Sequence, residues 1–556
     1  MKDSHFEKVA DACPNLKWSD TEARYVIDIP EMANIAADTI GRHAHGANSN
    51  KAALIYEHDD GRIETYTFAE IEDQANRLAV ALRAMGVLEG DPVAVHVGQR
   101  PETAIAHMAI YKLGAVVLTL SQMYGADTLS HVLEHSGARV IIAERAIWKR
   151  VGLDPLDTAK ISHMIAVDTP SENMTSWSDC LSHDPTGFTP VATHAESPAL
   201  LMYTSGSTGL PKGLLHSHRV LHAYMPTVNM FYDLELERAD AMFWSPADWA
   251  WVGGLLDLVL PAWMAGQTVV ASQHRFDADW AFEFMARHGV THSFMTPTAL
   301  KRLAEVSETG RANDLSLRVV CTGGESLPGE IVRWMDETLG VTCNEFYGLT
   351  EFNHLIGNCR ALYPIRPGSM GRAYPGRVVE LIDHQGHPVQ DGEVGEIAAR
   401  EDDCTLFLGY WGDPGVPERL RSGQWLRTGD LARRDSDGYY WYQGRNDDLI
   451  KSAGYRIGPA EIEDTLLRHA DVAEAAVVGK SDADRGAIVV AFIKLANKKE
   501  GSPELTRELQ NFVKQNLAFY KYPREIHYVQ EFPLTSSSKI RRGELRRICE
   551  QGAFAE

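Results

Sequence analysis

Eleven residues, YTSGSTGLPKG from Tyr203 to Gly213, gather three glycines, four hydroxyl side chains and one lysine. Glycine lets backbone N–H groups come close to phosphate oxygens, hydroxyls donate further hydrogen bonds, and Lys212 adds positive charge. The nucleotide-hydrolysing pattern GxxxxGK[ST] is not met. Gly206 is followed five positions on by Pro211, and Lys212 is followed by Gly213 rather than a hydroxyl residue. A phosphate cradle serving another reaction is therefore the expectation. A second cation, Lys539, stands near the far end in SSSKIRRGELR, which taken alone reads as a solvated basic patch.

Something must hold these groups, and the alternation of elements points to α/β architecture. TYTFAEIEDQANRLAVALRAMG predicts a helix capped by Thr67, with Glu70 completing a capping box and Gly86 stopping it. Phe68, Ile71, Ala75, Leu78, Leu82 and Met85 recur at helical spacing. Pro92 to Val97 reads as the next strand; a helix over Glu102–Leu113, the strand in GAVVLTL, and a helix and strand in HVLEHSGARVIIAE follow. Short apolar strands between helices predict buried, mostly parallel sheets, and ALLMY (199–203) predicts a strand leading into the glycine-rich loop. From Gly371 to Gly444 the punctuation by Gly and Asp, with VVELID and GYYWYQG, predicts a small antiparallel β-barrel unit. PAEIEDTLLRHADVAEAAVVG and GAIVVAFIKL then predict a small α+β domain. The expected division is 1–446 and 447–556.

A length of 556 residues suits two or more domains. The formal charge of −22 argues against nucleic acid or an anionic membrane as the main partner, while leaving room for a locally basic ligand site. Seven scattered cysteines without CxxC spacing suggest reduced thiols rather than a disulfide or zinc framework. The start, MKDSHFEKVADACPNLKW, lacks a signal-peptide stretch, and no apolar run is long enough to span a bilayer. A soluble cytoplasmic protein without integral membrane association is expected.

The full loop resembles the phosphate loop of the adenylate-forming superfamily: acyl-CoA synthetases, peptide-synthetase adenylation domains and luciferases. Four further motifs follow in the family's order: FYGLTE (346–351), RTGDLARR (427–434), GRNDDLIKSAGYRIGPAEIE (444–463) and PLTSSSKIRRGELR (533–546). The resemblance covers essentially the whole chain. It implies a large N-terminal domain, a small mobile C-terminal domain, and an AMP-forming acyl-CoA synthetase that joins a carboxylate to ATP and passes the acyl group to CoA. The alternative is a stand-alone enzyme loading an acid or amino acid onto a carrier protein. Partners would be a small carboxylic acid, ATP and CoA, with Mg²⁺; a homo-oligomer remains open.

By that resemblance, Thr204, Ser205, Gly206, Ser207, Thr208, Gly209 and Lys212 cradle the β- and γ-phosphates. Thr350 would bond the α-phosphate and Glu351 would help bind Mg²⁺. Tyr347 and Gly348, with Gly324, Glu325 and Ser326, would wall the adenine. Asp430 would accept from the ribose hydroxyls and Arg445 would contact ribose or phosphate. Lys539 would bridge carboxylate and α-phosphate, although Ser538 stands before it where the family usually has glycine. Asp447 matches the hinge, Gly454 would leave room for pantetheine, and Arg456 would contact a CoA phosphate.

The segment SPADWAWVGGLLDLVLPAWMAG (245–266) corresponds to the acyl pocket, lined by Trp251, Val252 and Gly253 together with Gly323 and Gly348. Glycines where acetate-specific relatives carry bulk imply room for short to medium or branched acids larger than acetate. Trp249 and Leu255 read as wall or core, and Asp257 as a core carboxylate or a reader of a polar substrate group. HSHRVLH (216–222) reads as a helix start with satisfied histidines rather than a metal site.

Overall fold

The computed structural model describes residues 4–152, 160–204, 211–306, 314–325, 327–414, 417–452, 455–482, 485–496, 499–518, 520–534 and 540–551. Two nine-stranded sheets form the large lobe. In the first, strands 175–176, 163–166, 140–143, 92–96, 116–119 and 198–204 run parallel, and the edge beyond them (212–217, 409–410, 413–414) turns antiparallel. In the second, a parallel centre (52–57, 268–272, 242–244, 292–294, 319–322, 342–349) is flanked by antiparallel strands at both edges. Strands such as Val140–Ala143 and Val116–Thr119 are buried at every position, as expected for sheets covered on both faces.

The local signals act as expected. Thr67 caps the helix Phe68–Ala84 by accepting from the Glu70 backbone, and the Glu70 side chain accepts from Thr67 N–H in return. Such a box contributes about 1 kcal/mol. Gly86 follows at φ +86°, where a side chain would be strained. Phe68, Ile71, Ala75, Leu78 and Leu82 are buried, and the half-buried Met85 packs against them.

A five-stranded antiparallel half-barrel (379–382, 394–400, 421–422, 425–434, 440–445) leans on the large lobe. The buried Arg377 fixes it there, with Nη1 2.9 Å from Asp403 Oδ1 and Nη2 donating to Ala223 O. The C-terminal part carries a β-ribbon (450–452, 455–457), helices Pro459–Leu467, Pro503–Asn516 and Arg542–Gln551, and a three-stranded sheet (472–482, 486–495, 525–528). Its buried apolar clusters draw only on residues from Ile450 onward, so it closes on its own core.

Carboxylates of both lobes lie within electrostatic reach of one another. Burial first, then Glu463 and Glu330, push Asp464 up to about 7, while Arg468 and Lys301 oppose the shift. Burial pushes Glu345 of the large lobe up to about 8, with Asp464 adding repulsion. Both groups hold protons more tightly folded than unfolded, so stability is lost as pH rises from about 4 through 8. Melting curves should show Tm falling between pH 5.5 and 8.5, and Asp464→Asn should flatten that fall. An unchanged slope in the variant would refute the assignment.

Candidate active site

The glycine-rich loop joins two paired strands. Thr204 ends the strand Pro198–Thr204 directly opposite Lys212, which begins Lys212–Ser217. Ser205, Gly206, Ser207, Thr208 and Gly209 lie outside the described residues. Two histidines one turn apart on the helix Ala126–Ser136 brace the loop's stems. His131 Nε2 donates to Pro211 O at 3.1 Å, and His135 Nδ1 lies 2.7 Å from the Tyr203 hydroxyl. Tyr124 OH donates to Tyr203 O at 2.9 Å. The i, i+4 spacing of HVLEHSG was the signal for this brace, but its target was not readable from the helix alone.

FYGLTE forms the end of the strand Thr342–Leu349 and the turn into Asn353–Gly357. A bulge between Tyr347 and Gly348 shifts the register. Asn353 sits at φ +60°, a conformation asparagine tolerates, and its amide donates to Thr405 O at 3.0 Å. Glu351 Oε1 accepts from Tyr410 OH at 2.9 Å, and Lys212 Nζ lies 5.3 Å from the centroid of the same ring. Tyr410 reaches this place because its short strand pairs with the loop's return strand at Leu214. Nothing local in FLGYW marks Tyr410 as a bridge between the loop lysine and the motif glutamate.

Asp430 accepts from two tyrosines, Tyr347 OH at 2.7 Å and Tyr442 OH at 3.2 Å. Burial and the Asp430 charge hold the Tyr347 phenol well above its usual range, so it stays a donor. Arg445 pairs opposite Asp430 in the sheet, and its Nε donates to Asp447 Oδ1 at 3.1 Å. Tyr347, Asp430, Arg445 and Asp447 are thus one contiguous group at the border of the lobes. Glu325 accepts from Thr298 Oγ1 at 2.8 Å, next to Gly324 at φ +87°. Thr350 engages His216 through its backbone, and the buried His216 ring is pushed down to about 4, mainly by burial.

Ser326, Gly454 and Lys539, and the side chain of Arg456, lie outside the described residues. Leu534 and Ile540, on either side of the lysine segment, form an antiparallel bridge, and Arg542 grips Glu463 at 2.7 Å.

The acyl segment departs from the reading of its glycines as empty space. A Cβ at Gly253 would stand 2.3 Å from the Phe294 ring, and one at Gly323 2.8 Å from the Phe346 ring. At Gly348 it would meet Asn353 O at 2.0 Å, so the bulged backbone itself demands glycine there. Trp249 is core, edge-on to Trp263, as is Leu255. Trp251 stands edge-on to Tyr124, and Val252 and Gly253 beside it are half-buried. Asp257, on a π-helical turn Leu255–Val259, is buried and accepts from His354 Nε2 at 2.8 Å, a core carboxylate with a named partner. The histidine run leads into the helix Arg219–Phe231 but is satisfied only in part: His218 Nδ1 accepts from Ile35 N–H and His222 Nε2 lies 3.0 Å from Asp38, while the buried Nε2 atoms of His216 and His218 have no hydrogen-bond partner among the described residues. Among the described residues no group of three or more His, Cys, Asp or Glu could hold a metal.

Residues 41–411 match the AMP-binding enzyme family and residues 461–539 match the AMP-binding enzyme C-terminal domain. The chain is 36% identical over 511 residues to the uncharacterized acyl–CoA ligase YtcI of Bacillus subtilis, covering 91% of this chain and 94% of that one. It is 32% identical to the acetyl-coenzyme A synthetase of the same organism, covering 98% and 95%. Among solved structures, an anthranilate CoA ligase, AuaEII, in complex with anthranoyl-AMP superposes with a TM-score of 0.85 at 28% identity, over 94% of this chain and 99% of that one. The motif order, the two-lobed α/β fold and these matches establish that the chain belongs to the adenylate-forming AMP-binding enzymes, among the AMP-forming acid–thiol ligases.

Proposed function

We propose that the protein is an acyl-CoA synthetase that activates a short to medium, branched or ring-bearing carboxylic acid larger than acetate. The observation that carries the reading is Tyr410, which holds the Glu351 carboxylate while lying under the Lys212 ammonium. A cation suited to the outer phosphates and a carboxylate suited to a metal are thereby kept side by side without neutralising each other. Glu351 Oε1 is engaged and no hydrogen bond to Oε2 is formed among the described residues. One carboxylate together with substrate phosphates is how Mg²⁺ is commonly bound, and the ion would neutralise charge on the phosphates.

In the first step a carboxylate oxygen of the acid bonds to the α-phosphorus of ATP, and the bond to the pyrophosphate oxygen breaks. Thr350 would bond the α-phosphate, and Asp430, already accepting from Tyr347 and Tyr442, would take the ribose hydroxyls with Arg445 beside it. Lys539 would follow the negative charge as it builds between the two reactants. In the second step the CoA thiolate attacks the acyl carbonyl and AMP leaves; Gly454 would leave room for the pantetheine arm and Arg456 would contact a CoA phosphate. The lobes would exchange between the steps about Asp447, the boundary falling at residues 446 and 447. Support for that boundary is the self-contained apolar core beginning at Ile450. All seven cysteines are unpaired thiols, six of them buried, which favours a reducing, cytoplasmic setting.

The preference above acetate draws on the Phe294 and Phe346 rings, which fill the space beside Gly253 and Gly323 and would give a larger acid an apolar wall; the glycines themselves leave no gap. The anthranilate ligase is named for an aromatic acid and the Bacillus acetyl-coenzyme A synthetase for acetate, so these relatives lie on both sides of this choice.

Lys539→Ala should lower acyl-adenylate formation by about 100- to 1000-fold while leaving conversion of supplied acyl-AMP to thioester largely intact. Equal loss of both half-reactions, read by pyrophosphate release and thioester formation, would sink the assignment. Across straight, branched and aromatic acids, kcat/KM should exceed that for acetate by at least about tenfold for the best substrate. Acetate ranking first would overturn the preference, and adenylate formed without any CoA thioester would redirect the reading to a carrier protein.

A further inference from the structure

Three segments that the proposed reaction uses separately are joined behind the site by one chain of hydrogen bonds. His354 stands on the strand Asn353–Gly357, opposite Gly348 of the FYGLTE motif. Its Nε2 donates to Asp257 Oδ1 at 2.8 Å, on the π-helical turn that continues the acyl segment. Its Nδ1 lies 3.0 Å from Thr227 Oγ1, on the helix Arg219–Phe231 that follows the phosphate-loop hairpin. All three residues are buried, His354 and Asp257 at 1% and 3% exposure. With both ring nitrogens engaged from opposite sides, the imidazole has one orientation.

That orientation matters because of what the ring touches. His354 stands edge-on to Phe346, with centroids 4.8 Å apart, and perpendicular to Phe231 at 5.1 Å. Phe231 stacks on Phe346 at 4.8 Å, and Phe346 continues to Phe294 at 6.1 Å. These last two rings are the surfaces that would be met by side chains at Gly323 and Gly253. Rotation of an unheld ring at 354 would release Phe346 from one side, and close-packed aromatic surfaces do not absorb such a change locally.

We propose that His354, held by Asp257 and Thr227, is the positioning residue that fixes the Phe346 and Phe294 surfaces and thereby sets the size of acid accepted. The inference rests on the reading of the protein as an acyl-CoA synthetase with an acid larger than acetate. It assigns no contact between His354 and substrate; the effect passes through the two phenylalanines.

The test measures kcat, KM for each acid and KM for ATP in the full-length wild-type enzyme and in His354→Leu, Asp257→Leu, Asp257→Asn and Thr227→Val. His354→Leu and Asp257→Leu should change the ratio of kcat/KM between a long and a short acid by about tenfold, while KM for ATP stays within about twofold. Asp257→Asn, whose amide oxygen still accepts from Nε2, should keep the wild-type acid profile. Thr227→Val, which removes only the hydroxyl, should shift the profile in the same direction by less, and it carries the test if the leucine variants fail to fold. An unshifted acid profile in folded His354→Leu or Thr227→Val, or equal changes in KM for acid and ATP, would overturn the proposal. A wild-type enzyme that activates no acid would instead sink the underlying reading.

Discussion

A carboxylate and a triphosphate repel one another, and the chain that must join them is itself strongly anionic, with a formal charge of −22. General attraction cannot gather the reactants, so the cations have to be local and fixed. Lys212 is placed by strand pairing opposite Thr204, and Arg445 by strand pairing opposite Asp430. Tyrosines engage the Glu351 and Asp430 carboxylates near these cations, while Arg445 pairs with Asp447. Tyr410 stands between Lys212 and Glu351, and Tyr347 and Tyr442 occupy Asp430 ahead of Arg445. A neutral phenol can satisfy a carboxylate without cancelling its charge, which a direct ion pair would do.

This division of labour explains which parts could be read from the chain alone. The capping box at Thr67 and Glu70, the strand before the loop and the motif order are local patterns, and each stands where spacing put it. Tyr410 is 59 residues from its glutamate partner and Tyr347 is 83 from its aspartate, so no window contains either pair. Gly348 misled for another reason. A missing side chain reads as vacancy in one dimension, whereas the bulge brings the Asn353 carbonyl into that volume. Asp257 was equivocal because its meaning depends on His354, 97 residues away. The phosphate-loop tip and Lys539 were legible as motifs, and their described neighbours are the strands and bridge that flank them.

The second lobe has a complete apolar core, yet its helix Pro459–Leu467 is built around charge. Glu463 takes Arg542, Glu461 takes Lys521 at 2.5 Å, and Asp464 faces the large lobe. A lobe that closed on apolar surface would be costly to release. The pairs of Glu463 and Glu461 lie within this lobe, so of these three only Asp464 bears on the large lobe, and a carboxylate there would part from its neighbours more readily than apolar surface if the lobes exchange as proposed.

The π-helical turn at Leu255–Val259 carries a further meaning. Such a turn holds one residue more than the regular helix on either side of it, and each residue of an α-helix advances by about 100°. Trimming a single position here would restore uniform winding and rotate Asp257 off the imidazole by roughly that angle relative to the acyl-pocket residues before it. On the role proposed for His354, the length of this segment, and not only its composition, would bear on which acid is accepted.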